Sequence, residues 1–420
     1  MTVDVRTVAE SEFSDWQRAL RVGFLRPPVV SDAEVADRLP HVDLTRTLGA
    51  YDRGRTVATF RSFRQEVSTV GGGILTADAI TQVTVSPTHR RRGLLSRMMS
   101  TDLTAAKERG DALATLIAAE YPIYGRFGFG VASSIAEWSV DLRVAGLDPR
   151  RSGRPEDGGR IDLTDADEIR KVGPDVHRAL MGVRAGVTAR TPRDWDNGTG
   201  AAVQSEPWQE PYYAVYRAES GEVEGYVAYT VDERWDDAKQ PVNTAKVRDL
   251  IAATPAAERA LWEYVCSVDW ISTVRSGYRA TDDPLPSLLP DRRAARVLTH
   301  ADMLWVRVLD AVRVLEGRTY PVTDGLVLDV RDGYATGEAG GFTGGRYLLD
   351  ASPDGVSCVR TTRSADLAFD VAHLGAFAFG DESAVRLARL GLVDELTPGA
   401  AARADLLFHT PLRAFSPDIF

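Results

Sequence analysis

The stretch Gln82-Val-Thr-Val-Ser-Pro-Thr-His-Arg-Arg-Arg-Gly-Leu-Leu-Ser-Arg97 sets three arginines and one glycine between an alternating apolar segment and a run with helical spacing. That order of residue types is suited to holding an anion. A helix N-terminus leaves N–H groups unpaired and presents the positive end of the helix dipole. Gly93 lets a phosphate approach the backbone with no Cβ in the way, and Arg90, Arg91 and Arg92 supply charge around it. The pattern is not a P-loop, which needs Gly-x4-Gly-Lys-Ser/Thr, and its single glycine is not a dinucleotide fingerprint. A pyrophosphate held by one glycine and several arginines fits coenzyme A. The plain alternative is a solvated basic turn; Val83-Thr-Val85 before it and the amphipathic run after it favour the binding role.

Other chemistry is sparse. His41, His89, His177, His300, His373 and His409 do not pair at metal-ligand spacing, and no metal is implied. His89 lies in the basic turn, where a structural or phosphate-adjacent place suits it better than catalysis. Cys266 and Cys358 are far apart with no Cys or His at ligand spacing, so neither a disulfide scaffold nor a zinc site is expected, and a reducing compartment is favoured. Asp232-Glu233 and Asp236-Asp237 read as a solvated loop.

These residues must be positioned by several domains. The chain has 420 residues, 44% hydrophobic and 26% charged, which suits two or three soluble cores. Its formal charge of −10 argues against a general nucleic-acid binder. No signal pattern opens the chain and no apolar run is long enough to span a bilayer, so a cytoplasmic protein without membrane or nucleic-acid partners is expected. Val3 to Val8, Arg55 to Ser68, Gly73 to Val85 and Ala112 to Ala119 read as strands, with Gly71-Gly72-Gly73 as a turn. A helix start at Glu10 precedes the Phe13, Trp16, Leu20 face, and Gly93 to Arg109 is an amphipathic helix ended by Gly110. A loose polar stretch after Val140 sets a first boundary near residue 150.

The second stretch, 151–303, repeats this text in degraded form. Asp165 to Val172 predicts a helix broken by Gly173-Pro174 before a second helix to Met181. Tyr212 to Tyr216 and Val223 to Val231 predict a hairpin, and the segment from Val247 runs through Thr254-Pro255 into a helix from Ala256 to Val268. Both stretches thus pass from a strand through Ser-Pro or Thr-Pro into a helix, as a tandem duplication would. Where the first has His89-Arg-Arg-Arg-Gly93, the second has Ala256-Ala-Glu-Arg-Ala260, which lacks the glycine and sets Glu258 against a phosphate. The third stretch, 304–420, starts from Trp305-Val-Arg-Val and reads as α+β, with a strand from Leu326 to Val330 and helices at Ser364 to Phe369 and Glu382 to Leu390.

Arg90-x-x-Gly93 after Val83-x-Val85 resembles the cofactor motif of the GNAT superfamily of N-acetyltransferases, with Leu95 where the family has Gly or Ala. Ile123-Tyr-Gly-Arg-Phe-Gly-Phe-Gly130 resembles its second motif, Tyr-x-x-x-Gly-Phe. Pro87 to Leu95 together with Ile123 to Gly128, and the three-part layout, resemble more narrowly the Eis (enhanced intracellular survival) acetyltransferases.

The resemblance implies a mixed α/β, α+β protein: tandem GNAT acetyltransferase folds (1–150 catalytic, 151–303 degenerate), then a sterol-carrier-protein-like α+β domain, 304–420. It implies acetyl-CoA as co-substrate, an amine-bearing small molecule or peptide lysine as acceptor, and a homo-oligomer, a hexamer in the family. Val83, Thr84 and Val85 would bond the pantetheine arm, Arg90 to Ser96 (with Leu94 and Leu95) the pyrophosphate, and Ala119-Glu120 would line the cofactor. Tyr124 would be the general acid, since a phenol is a suitable donor to a thiolate. The general base would be the terminal carboxylate of Phe420, seated with Ile419 in a partly apolar site. Trp16, Phe24, Arg26, Gln82 and Ile419 are the pocket candidates. Arg26 and Ile419 stand where aminoglycoside-modifying relatives are expected to have acids, which disfavours a polycationic acceptor. A non-catalytic acyl-CoA sensor and a lipid or ligand carrier remain the alternatives.

Overall fold

Residues 3–146, 158–203, 207–334 and 341–420 are described by the structure, a computed structural model. The chain divides into two compact units: residues 1–132 with 304–411 and 419–420, and residues 133–303 with 412–418. The boundary expected near residue 150 lies outside the described residues.

The first unit is built on a seven-stranded sheet. In chain order its strands are Asp4–Thr7, Thr47–Asp52, Arg55–Ser68, Ile74–Val85, Leu113–Ile117, Gly130–Val131 and Leu304–Val308. Leu304–Val308 inserts between Leu113–Ile117 and Gly130–Val131, antiparallel to both. Leu304–Val308 is buried at every residue, as a central strand requires. Helix Phe13–Gly23 packs on one face through Phe13, Trp16 and Leu20. Helix Leu94–Arg109 buries Leu94, Met98, Met99, Leu103 and Ala106 in the core that holds Tyr124 and Phe129. It ends at Gly110, whose φ of 80° is the left-handed cap that glycine adopts most readily.

The same unit carries a five-stranded sheet in the order Gly355–Arg360, Gly345–Ser352, Asp324–Arg331, Leu367–Asp370, Val393–Glu395. The expected helix at Ser364 to Phe369 is instead strand Leu367–Asp370, parallel to Asp324–Arg331 and buried at Leu367, Ala368 and Phe369. The helix begins after it: the Asp370 side chain accepts from the Ala372 N–H and starts Val371–Phe379. Arg318, buried, donates to the carbonyls of Phe377, Ala378 and Phe408 and so satisfies the ends of two helices.

The second unit is an eight-stranded sheet. Strand Ser134–Asp141, grouped by sequence with the first lobe, pairs here with Ile271–Arg275, Arg279–Ala280 and Ala295–Asp302. Helix Ala166–Val183 runs through Pro174 without the expected break. Ile169, Val176, His177, Leu180 and Met181 form one buried face across both halves, and that burial outweighs the ~3 kcal/mol cost of an interior proline. Gly173 serves packing: a Cβ there would meet the Trp195 ring at 2.5 Å. Cys266 and Cys358 are buried and free. Among the described residues no helix is long and apolar enough to cross a membrane.

Candidate active site

Strand Ile74–Val85 makes the site possible by changing partners along its length. It pairs in parallel with Leu113–Ile117 only over Ala77 to Ile80, while its pairing with Arg55–Ser68 continues to Val85. From Thr81 onward the two parallel strands part, and one edge of the Thr81–Val85 backbone leaves the ladder. A one-residue bulge marks the departure: the register shifts between Thr59 and Arg61, and Gln82 stands at φ 56°. Thr59 holds it by donating to the Gln82 carbonyl at 2.8 Å, with the Thr84 hydroxyl 2.7 Å from the Thr59 oxygen.

The basic turn follows. His89 Nε2 lies 3.0 Å from Asp52 Oδ2 and its Nδ1 2.8 Å from the Thr88 hydroxyl, so both ring nitrogens are engaged in holding the turn. His89 lowers the Asp52 carboxyl below its usual range, mainly by that hydrogen bond. Arg91 and Gly93 both adopt left-handed backbone, at φ 61° and 72°. Helix Leu94–Arg109 then starts with no side chain capping its N-terminus. Arg90, Arg91, Arg92, Gly93 and Ser96 are exposed; among the described residues none of the three arginines forms an ion pair. A Cβ on Gly93 would meet nothing within 4 Å, so the space above it is open. Leu94 is buried and Leu95, half-buried, packs with Val83 and Val85 on the helix side of the sheet. Thr84 faces the other way, tight against Gly23 of helix Phe13–Gly23.

Ala119 and Glu120 are exposed just beyond strand Leu113–Ile117, where the parted strands open. Tyr124 follows on a turn and is 8% exposed, its ring edge-on to Phe129 at 6.2 Å. Burial pushes its phenol above the ordinary 10, and the charge of Glu120 adds to this, so the group keeps its proton. Phe420 sets its ring edge-on to Phe63, 5.9 Å away, on strand Arg55–Ser68. The Arg61 guanidinium lies 5.5 Å from the same Phe63 ring.

The pocket candidates scatter. Trp16 is 1% exposed, donates to the Leu48 carbonyl at 2.9 Å and stacks on Phe13, which makes it core rather than pocket wall. Gln82 is half-buried at the bulge. Phe24 and Arg26 are exposed past the end of their helix, and Ile419 is 65% exposed instead of seated in apolar surroundings.

Sequence spacing missed a buried acid cluster behind the site. Ser62 donates to Asp102 at 2.7 Å, the charge of Asp78 acts on Asp102, and Arg46 and Arg109 both pair with Asp78. Burial, then the charge of Asp78, pushes the Asp102 carboxyl well above its ordinary range. The cluster ties helix Leu94–Arg109 to strands Arg55–Ser68 and Ile74–Val85.

In the second unit the equivalent helix, Pro255–Ser267, begins differently. The Thr254 side chain accepts from the Ala257 N–H at 3.2 Å, and Pro255 has no N–H to offer. Glu258 is turned to Arg279, 3.2 Å away.

Comparison with known proteins follows this geometry. Residues 4–132 match a family model described as an acetyltransferase (GNAT) domain, and residues 186–314 match another of the same description. Residues 311–417 match a sterol carrier protein domain. Two acetyltransferase domains in series with a sterol-carrier domain define the class as a GNAT-type N-acetyltransferase, an enzyme class that draws on acetyl-CoA. A Streptomyces avermitilis protein described as an uncharacterized N-acetyltransferase is 59% identical over 419 residues, covering 100% of this chain and 99% of its own. The N-acetyltransferase Eis of Mycobacterium tuberculosis is 30% identical over 321 residues, 76% of this chain and 74% of that one. The crystal structure of Eis1 from Mycobacterium abscessus matches with a TM-score of 0.83 at 30% identity, over 99% of this chain and 100% of that chain. The chain belongs to the Eis family of N-acetyltransferases.

Proposed function

We propose that this protein transfers an acetyl group directly from acetyl-CoA to a primary amine, with Tyr124 as general acid and the Phe420 carboxylate as general base. The observation that carries the reading is the pairing of a parted strand at Thr81–Val85 with an uncapped helix N-terminus ringed by three arginines that form no ion pair among the described residues. Val83, Thr84 and Val85 offer backbone groups to the pantetheine arm. The turn from Arg90 through Leu95 to Ser96 takes the pyrophosphate, and Ala119 and Glu120 line the opposite edge.

The Phe420 carboxylate takes a proton from the ammonium, leaving a neutral amine to attack the thioester carbonyl. The C–N bond forms, the C–S bond breaks, and the Tyr124 phenol gives its proton to the departing thiolate. Burial supports that role by keeping Tyr124 protonated. On the acceptor side, an arginine at 26 and an isoleucine at 419 in place of acids favour a less charged amine over an aminoglycoside.

The second lobe takes no cofactor of its own, because its helix N-terminus is capped and Glu258 stands in the first turn. It is a scaffold, and residues 304–420 supply the terminal carboxylate. A homo-oligomer, hexameric as in the family, in the cytoplasm completes the reading. The carrier alternative finds little support in the sterol-carrier domain: Phe377 packs between Phe369 and Phe408 while Arg318 reaches the carbonyls beneath them.

Thiol release from acetyl-CoA with a panel of amines tests the proposal. Turnover with at least one amine, lost in Tyr124→Phe by about 100-fold or more, is expected. Binding of acetyl-CoA without turnover on any amine would favour a sensor, and two acetyl-CoA bound per chain would overturn the one-site reading.

A further inference from the structure

The second unit holds residues 412–418, just before Ile419 and Phe420. Residues 413–418 are docked within the second unit at several points. The Phe415 N–H donates to the Ala185 carbonyl at 2.9 Å, and the Arg413 N–H donates to Asp282 Oδ2 at 2.9 Å. Arg184 donates to the Arg413 carbonyl at 3.0 Å while pairing with Asp282. Ala414, Phe415 and Ser416 are buried. Gly186 permits the approach: it stands at φ 85°, and a Cβ there would meet the Phe415 backbone nitrogen at 3.3 Å.

The last anchor is Asp418. Arg190 presents a planar fork to it, Nε to Oδ1 at 2.9 Å and Nη2 to Oδ1 at 2.7 Å. The other edge of the same guanidinium takes Asp249 at 2.6 Å, and the Tyr226 hydroxyl donates to Asp249 at 2.6 Å. The Arg190 side chain is 11% exposed, with Trp195 5.0 Å from its guanidinium carbon. A two-sided fork of this kind fixes direction as well as distance.

The place of this clamp in the lobe is informative. Asp249 and Leu250 lie on strand Asn243–Ala252, which pairs with Ile271–Arg275 only from Asn243 to Lys246 and then parts from it, as Thr81–Val85 does in the first lobe. Arg279 donates to the Leu250 carbonyl and lies 5.6 Å from the Phe415 ring. The parted strand that serves a cofactor in the first lobe is therefore engaged here, through Arg190 and Arg279, with the chain's own tail.

We propose that Arg190, backed by Asp249, is a positioning residue for acetyl transfer: by clamping Asp418 it fixes the point from which the chain runs on to the Phe420 carboxylate. Two residues span at most about 7 Å, so an anchored Asp418 confines the carboxylate to a small volume. The proposal rests on the reading of Phe420 as general base.

Asp418→Asn in the full-length enzyme is the test, since Asp249 still pairs with Arg190 and no buried charge is stranded. Three readouts apply: steady-state kinetics, thermal unfolding, and release of Phe420 by carboxypeptidase A, which favours a free C-terminal phenylalanine. The expected result is a fall in kcat of about 10- to 100-fold, an unchanged KM for acetyl-CoA, an unchanged Tm and faster phenylalanine release. Arg190→Lys, which keeps the charge but loses the fork, should fall between. Wild-type kcat and wild-type resistance to carboxypeptidase in Asp418→Asn would overturn the clamp. Deletion of Phe420 separates the two claims. If it abolishes turnover while Asp418→Asn is silent, the base stands and the clamp falls. If it leaves turnover intact, the base falls and so does a catalytic role for the clamp.

Discussion

The Thr59 hydroxyl donates to the Gln82 carbonyl across a one-residue bulge, and the two parallel strands of the first lobe part at that bulge. Thr59 is fully buried, so its replacement leaves the Gln82 carbonyl and the Thr84 hydroxyl short of a partner. Thr59→Val, nearly equal in shape, is expected to cost about 1–3 kcal/mol of stability and to weaken acetyl-CoA binding. Thermal unfolding and titration calorimetry check this; unchanged affinity would mean that the bulge does not shape the cofactor strand.

Gly93 is required for its backbone, since its φ of 72° is left-handed and the space around it is open. Gly93→Ala should therefore raise the dissociation constant for coenzyme A through about 1–2 kcal/mol of strain, without a steric clash. Calorimetry with coenzyme A at low and high salt checks it. Arg92→Ala should by contrast lose affinity mainly at low salt.

Much of this site was legible because it is local. Gly93 and Gly110 bracket a helix in the sequence as they do in the structure, and alternation located strand Arg55–Ser68 at its observed bounds. Alternation reveals a strand's period but not its partner. The sheets that Ser134–Asp141 and Leu304–Val308 join depend on pairings far along the chain. Pro174 misled for a related reason: a local helix breaker is overridden by burial that only the fold supplies. The Arg190, Asp249 and Asp418 clamp left no sequence signal, because its members are 59 and 228 residues apart. Trp16, read as a pocket candidate, carries an indole N–H that the structure spends on the Leu48 carbonyl.

Asp102 makes stability depend on pH in a direction opposite to an ordinary surface acid. Burial and the neighbouring charge of Asp78 raise its carboxyl above the ordinary 3.8, with Arg46, Arg109, Asp111 and Ser62 completing the surroundings. The folded state thus binds a proton that the unfolded chain releases. Its stabilising contribution is full below about pH 3.8 and declines as pH rises toward the folded value. Asp102→Asn stays neutral at every pH and keeps an acceptor for the Ser62 hydroxyl. Relative to this variant, the wild-type Tm should fall as pH rises above about 4 and converge with it below about pH 4. Parallel curves from about pH 4 to pH 8 would show that Asp102 does not titrate as described.

The central claim, that the backbone end at Phe420 is the base, meets its most direct test in a single glycine appended after Phe420. The extension leaves the Phe420 ring free to pack on Phe63 and moves only the carboxylate, by about 3.5 Å. The account predicts a kcat lower by about 100-fold with the KM for acetyl-CoA unchanged. Undiminished kcat in the extended enzyme would contradict it.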